Sequence, residues 1–216
     1  METRETPVGN VHQDDEDRTY SRIACGVVWP GDLPGFAVVV GEEAPLGGRE
    51  HRRYYVLAER EDADVAGLLR RVRDELVDQF EVDMVVASLR NSDHTAFLVF
   101  WNEQRRANME DYLILTSAPN SDTGSLVHHV GVLRSYMAQA APRLLFADSA
   151  TSIPAALQSV PQAVTADVKD EQHPQVAALG YALSYLVSTA APLSLLGRSS
   201  YDLEADAWGG ADDLDI

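Results

Sequence analysis

Four carboxylates in segments expected to be loops are the side chains of this sequence best suited to chemistry. Asp32, Asp93, Asp170 and Glu171 stand near the ends of predicted strands or helices. Carboxylate oxygens are the ligands that hard divalent cations prefer, and two such cations together activate a water and stabilise a leaving oxygen. The best set for such a metal site is Asp32, Asp93 and Glu171. In a chain this acidic, the competing interpretation of solvated loop carboxylates is favoured.

The other catalytic motifs that the sequence offers are incomplete. His128 and His129 are adjacent, so on a helix they point about 100° apart and make poor joint ligands. His94 beside Asp93 could act as an acid–base pair, but no third group completes it. The only lysine, Lys169, follows a valine and precedes an aspartate, so no Walker A phosphate loop is formed. The patterns of a nucleophile elbow and of a dinucleotide-binding glycine turn are also missing.

The charge balance argues against a general nucleic-acid binder. The chain has 34 acidic and 17 basic residues and a net charge of −17 at pH 7. Proteins that bind DNA concentrate positive charge to displace counterions from phosphates, so direct DNA binding is expected to be weak or absent. Arg70, Arg71 and Arg73 are close together but are better explained by ion pairs on a helix surface. The acidity is explained most simply by solubility.

Cysteine usage and hydropathy indicate an intracellular chain. Cys25 is the only cysteine, so neither an intramolecular disulfide nor a cysteine-based zinc site can form. The sequence begins METRETPVGN, which is polar and lacks an apolar signal region. No apolar run approaches the ~20 residues that span a bilayer. We therefore expect no membrane association.

Apolar periodicity predicts the order of strands and helices. Strands are predicted at residues 23–29, 36–40, 54–58, 83–88, 112–116 and 144–146. Helices are predicted at residues 64–80, 95–108, 125–140, 153–160 and 174–189. Three strands joined by short loops indicate an antiparallel meander, and the later alternation of strands and helices indicates parallel pairing. The prediction is an α/β domain whose central strand, 23–29, lies between strands 36–40 and 83–88.

The two ends of the chain are expected to lie outside this domain. Residues 1–20 are polar and contain the acidic run from Asp14 to Asp17, which is typical of a flexible arm. Residues 197–216 are acidic and contain glycine, and they are interpreted as a flexible tail. The domain itself is therefore assigned to residues 21–196.

Three segments carry a resemblance to a known family. They are IACGVVWPGDLPGFAVVVGEE at residues 23–43, LRSYMAQAAPRLLFADSATSIPAALQSVP at 133–161 and HPQVAALGYALSYL at 173–186. Together they resemble the nuclease domain of the large terminase subunit of tailed viruses, over residues 23–190. The resemblance implies a ribonuclease-H-like fold, with a mixed sheet in which the meander is followed by alternating strands and helices. It also implies a role in cutting viral DNA during packaging.

The catalytic aspartates of that family have no counterparts here. The family places one in the first strand, one at the end of the fourth and one at the start of the last helix. The matching positions hold Val28, Ser88 and Ala177, none of which ligates magnesium as a carboxylate does. The resemblance therefore implies a protein without catalytic residues, metal or other cofactor.

The leading hypothesis is a catalytically inert relative of the terminase nuclease, encoded by a tailed virus or a prophage. It would act through contacts with viral packaging or structural proteins, in the host cytoplasm or in the virion. One alternative is an active endonuclease that uses Mg²⁺ or Mn²⁺ held by displaced ligands, namely Asp32, Asp93 and Glu171. Another is a host-encoded binding module of ribonuclease-H-like fold.

Overall fold

The computed structural model describes most of the domain and the N-terminal segment. The described residues are 1–6, 9–15, 17–43, 52–87, 114–117, 125–138, 143–160 and 170–188. Within them, a sheet of eight strands has helices on both of its faces. The predicted helix at 95–108 and the predicted tail at 197–216 lie outside the described residues.

The strands follow the predicted order, with two more at the N-terminus. They are β1 (Glu2–Thr6), β2 (Gly9–Gln13), β3 (Thr19–Val28), β4 (Gly35–Glu43), β5 (Tyr54–Asp62), β6 (Met84–Ala87), β7 (Ile114–Ser117) and β8 (Leu144–Phe146). The helices are α1 (Val65–Arg70, continued by a π-helical segment Arg71–Val77 and a last turn Asp78–Phe80), α2 (Ser125–Met137), α3 (Ser152–Ser159) and α4 (Pro174–Ser188).

Strand β3 is central, as predicted. It pairs with β4 in antiparallel orientation on one edge and with β6 in parallel orientation on the other. Beyond β4 the sheet continues to β5 (antiparallel) and β8 (parallel), and beyond β6 it continues to β7 (parallel). A meander that leads into a parallel half is the predicted ribonuclease-H-like mixed sheet, so the fold class is confirmed.

Both faces of β3 are covered, which explains its nearly continuous apolar sequence. Alternate residues point to opposite faces of a strand. Ala24 and Val28 belong to a buried cluster with α2, α3 and α4, whereas Cys25 and Val27 belong to a second cluster with α1. The described residues are thus layered as helices, sheet and helix.

Helix α1 begins where its sequence predicts. The side chain of Asp64 accepts a hydrogen bond from the backbone N–H of Gly67 at 2.7 Å and so caps the helix. Glu81 ends the helix with a left-handed backbone, at φ 50°, before the chain enters β6. The π-helical segment was not predicted, since apolar spacing scarcely distinguishes it from an α-helix.

The N-terminal residues form a hairpin rather than the predicted flexible arm. Strands β1 and β2 pair in antiparallel orientation, and β2 then pairs with the start of β3 through His12–Tyr20 and Gln13–Thr19. The acidic run from Asp14 to Asp17 lies in the connection between β2 and β3. There Asp14 accepts hydrogen bonds from the backbone of Arg18 at 2.9 Å and from the Tyr20 hydroxyl at 2.7 Å. The polar composition of residues 1–20 predicts disorder because composition carries no information about such local hydrogen bonds.

No helix in the described ranges combines the length and apolarity needed to cross a membrane.

Candidate functional site

The candidate site is the region at the carboxyl ends of β3 and β6, beside the start of α4. Val28 is the last residue of β3 and is 3% exposed. It pairs with Phe36 on β4 and belongs to the buried cluster that contains Ala177. An apolar, closed environment therefore stands where the family resemblance requires a first carboxylate.

The position of the third family carboxylate is equally closed. Ala177 lies in the first turn of α4, is fully buried and donates its backbone N–H to the carbonyl of His173 at 3.0 Å. At the next residue of the helix, a Cβ added to Gly26 would overlap the carbonyl oxygen of Ala178. Helix α4 thus touches the backbone of β3, and even a methyl group would not fit between them. The second position, Ser88, follows β6 and lies outside the described residues.

The structure describes two of the three residues of the alternative metal site. Asp32 is exposed in the short connection between β3 and β4, where the N–H of Gly31 bonds the carbonyl of Leu33 at 3.0 Å. Asp93 lies outside the described residues. Glu171 is in the 3₁₀ turn Asp170–Gln172 before α4. Among the described residues, no group of three histidine, cysteine, aspartate or glutamate side chains is arranged to hold a metal ion.

Asp170, which precedes Glu171, has a structural role. Its carboxylate accepts a hydrogen bond from the hydroxyl of Tyr181, a residue that is 1% exposed on α4. The bond ties the 3₁₀ turn to the helix that follows it. The carboxylate of Asp170 therefore already has a hydrogen-bond partner within the domain.

A buried ion network at the other end of β3 was not predicted. Arg22 donates to Glu42 through Nε, at 2.7 Å, and through Nη2, and it also donates to the carbonyl of Leu186 near the end of α4. Arg52 contacts the other oxygen of Glu42, and the Arg22 guanidinium lies 5.9 Å from the ring centre of Tyr185. The network anchors α4 to the sheet. Its only sequence signal was a charged residue at the end of each of two apolar runs, RIACGVV and VVVGEE.

A second polar contact joins the sheet to α3. Glu59 on β5 accepts the backbone N–H of Ser152 at 2.8 Å and so caps α3 from outside the helix. Ser149 supports it by donating to the carbonyl of Leu57 at 3.3 Å. A carboxylate at a helix N-terminus is favourable because of the exposed N–H groups and the helix dipole. This contact positions α3 and offers no reactive group.

The sole cysteine is not a nucleophile in the folded protein. Cys25 is fully buried under α1, and burial raises the pKa of its thiol to about 12. Burial and the nearby Glu42 carboxylate likewise raise the pKa of Tyr54 to about 12. Both groups are protonated at neutral pH, so neither supplies an anionic nucleophile.

Comparison with known proteins gives matches in structure alone. No family model matches the chain, and no curated protein matches it. Among solved structures, the chain is similar to the large terminase from a thermophilic bacteriophage in complex with ADP, at 14% identity and a TM-score of 0.49, covering 77% of this chain and 40% of that one. It is also similar to the same terminase in complex with ATP-γ-S, at 15% identity and a TM-score of 0.48, covering 75% and 39%.

The chain thus spans about 40% of the length of the solved chains that it matches. These structures belong to the family that the sequence resembles. At this level of likeness they assign no residue of this chain a role, so the site is judged on its own geometry.

Proposed function

We propose that this chain is a catalytically inert protein of ribonuclease-H-like fold that acts through protein contacts in the DNA packaging or particle assembly of a tailed virus. The observation that carries the proposal is the burial of Val28 and Ala177 in one apolar cluster, at two of the three positions where the family resemblance requires carboxylates.

The chemistry of a two-metal nuclease explains why this observation matters. Two divalent cations about 4 Å apart repel each other strongly and need several carboxylate ligands to hold them. Valine and alanine side chains provide no ligand, and the contact of α4 with β3 at Gly26 leaves no space for a longer side chain there. The apolar packing that replaces the ligands supports a scaffold role for this part of the fold.

The charge of the chain supports protein partners over DNA. With a net charge of −17, the chain repels a phosphate backbone at long range and attracts surfaces rich in lysine and arginine. Association with a basic protein surface would be fast at low salt and would slow as salt screens the charges.

A cleavage assay tests the inert half of the proposal. The purified chain is incubated with supercoiled plasmid and linear duplex DNA in Mg²⁺ and in Mn²⁺, beside an active metal-dependent nuclease. We expect no cleavage, because no described group of acids is arranged to hold a metal ion. Calorimetry with each cation should likewise show no tight binding.

Three substitutions, Asp32→Ala, Asp93→Ala and Glu171→Ala, separate an intrinsic activity from a contaminant. Cleavage that disappears with any of them would replace our proposal with the displaced-site endonuclease. Cleavage that all three variants retain would point to a contaminating nuclease and leave the proposal in place.

A genetic experiment tests the packaging half. The coding sequence is deleted from the virus or prophage that carries it, and packaged DNA per particle is measured with and without complementation. We expect packaging or assembly to fall, and to recover with both the wild-type chain and Asp32→Ala. Normal yields from the deletion, or a coding sequence that lies in a host locus without viral neighbours, would favour the host binding module.

A further inference from the structure

The N-terminal hairpin is held to the rest of the domain by a histidine between two carboxylates. His12 on β2 is 5% exposed. Its Nδ1 lies 3.4 Å from Oε2 of Glu81, and its Nε2 lies 3.4 Å from Oδ1 of Asp83. A neutral imidazole carries one N–H and one lone pair, so it can satisfy only one of these carboxylates and must turn its lone pair toward the other. The imidazolium donates to both.

The two carboxylates are fixed in place by the backbone around them. Asp83 accepts the backbone N–H of Ile23 through Oδ2 at 2.7 Å, and its own N–H bonds the carbonyl of Ile23 at 3.0 Å. Glu81 occupies the left-handed position that ends α1. Both acids therefore belong to the connection between α1 and β6, whereas the histidine belongs to the hairpin.

In the part of the chain that the structure describes, strand β2 pairs with β3 at two positions, and Met1 packs at the margin of the cluster beneath α1. Because this pairing is short, a free energy near that of one charge pair can change how often β2 detaches.

Several other charged groups that the structure describes near this contact have partners of their own. Tyr20, the strand partner of His12, donates to Asp14, and Arg18 lies 3.8 Å from the same carboxylate. The charge of Asp83 also contributes to the raised pKa of Tyr185. The guanidinium of Arg22, which is paired with Glu42, lies over the ring of Tyr185. The carboxylates of Glu81 and Asp83 lie against the imidazole ring itself, so the local field favours the protonated ring.

We propose that His12 is a proton-dependent clasp that fastens the β1–β2 hairpin to the α1–β6 connection through Glu81 and Asp83. When the ring loses its proton the clasp loosens, β2 separates from the start of β3, and that strand edge becomes available for pairing.

The direction of the pH dependence follows from linkage. Burial lowers the pKa of His12, but hydrogen bonds and charges from Asp83, and then from Glu81, outweigh it, so that the pKa in the folded protein lies above its ordinary value of 6.5. A raised pKa means that the stabilisation is complete below pH 6.5 and is lost as pH rises through the folded-state pKa. The clasp is closed in mildly acidic solution and opens in alkaline solution.

Hydrogen exchange of the intact chain tests the clasp. Protection factors of the β2 amides are measured from about pH 5.5 to 9, corrected for intrinsic exchange, and compared with those of the α4 amides. We expect β2 protection to fall about threefold to tenfold across this range, the factor expected for one partly exposed charge pair. Protection of the α4 amides should fall by no more than this factor, because loss of the charge pair lowers the stability of the native state as a whole.

Two variants and one control complete the design. His12→Gln cannot be protonated, so its β2 protection should be low and independent of pH, and Glu81→Gln should reduce the pH-dependent fall without removing it. His173→Gln, at the start of α4, should behave as wild type. Constant or rising β2 protection in the wild-type chain would overturn the proposal, and so would an equal fall in His12→Gln. If His12→Gln does not fold, Glu81→Gln and the wild-type profile decide.

Discussion

Replacing Val28 by aspartate restores the first family carboxylate and tests directly whether the site is closed. Val28 is 3% exposed, so the substitution gives up about 1.5–3 kcal/mol of apolar burial. It also places a carboxylate among apolar side chains without a partner, which costs a further ~1–3 kcal/mol. We expect the free energy of unfolding to fall by about 4 kcal/mol, or roughly 10 °C in Tm for a domain of this size.

Urea unfolding at pH 7, followed by circular dichroism, measures this change. Val28→Asn is the matched control, since it has nearly the same shape as aspartate without the charge. Burial raises the pKa of an introduced carboxyl above its value in the unfolded chain. The resulting destabilisation is present above the unfolded-state pKa and is lost as pH falls to it. The difference in unfolding free energy between Val28→Asp and Val28→Asn should therefore disappear near about pH 4. Adding Mg²⁺ should not restore stability. A Val28→Asp protein as stable as wild type, or one that Mg²⁺ stabilises, would show that this end of β3 is open and can hold a metal.

Two further substitutions test the packing around α4. Gly26→Ala should lower the free energy of unfolding by at least about 3 kcal/mol, because the new methyl would overlap helix backbone. Gly31→Ala, whose new methyl would meet no atom within 4 Å, should stay within ~0.5 kcal/mol of wild type. Urea midpoints compare the two variants, and equal midpoints would contradict the close contact. Arg22→Ala should cost about 3 kcal/mol, at the lower end for a broken buried ion pair because Arg52 still neutralises Glu42. A double-mutant cycle with Glu42→Gln should give a coupling energy above ~1 kcal/mol, and additive effects would mean that the pair is not coupled.

The core of the fold was predictable because it depends on apolar pattern. Strand β3, with a buried helix layer on each face, is a nearly unbroken apolar run, and its neighbours were identified from loop length and alternation. The sequence also shows that neither Val28 nor Ala177 is a carboxylate. The burial of these two residues, and the contact of α4 with Gly26, required the structure, because close approach between elements leaves no periodic signal in the sequence.

Polar interactions between distant residues were the part that sequence reasoning missed. Polar, acidic composition places His12 in a predicted flexible arm, and the sequence gives no sign of its partners, Glu81 and Asp83, which lie 69 residues or more away along the chain. Arg22 and Glu42 were missed for the same reason, since nothing in either segment shows that the two charges face each other across β3 and β4. Isolated charges acquire partners only when the topology is known.

The parallel pairing of β5 with β8 imposes an order on folding. Contacts across this edge, such as that of Ser149 with Leu57, join residues 92 positions apart. Closing a loop of this size costs roughly 4 kcal/mol in chain entropy, against roughly 2 kcal/mol for the short connection between β3 and β4. The meander β3–β4–β5 can therefore form early from local contacts, and β8 with α3 joins a sheet that already exists. Until it does, β5 presents an unpaired edge, so the nascent chain is most exposed to intermolecular strand pairing during this interval.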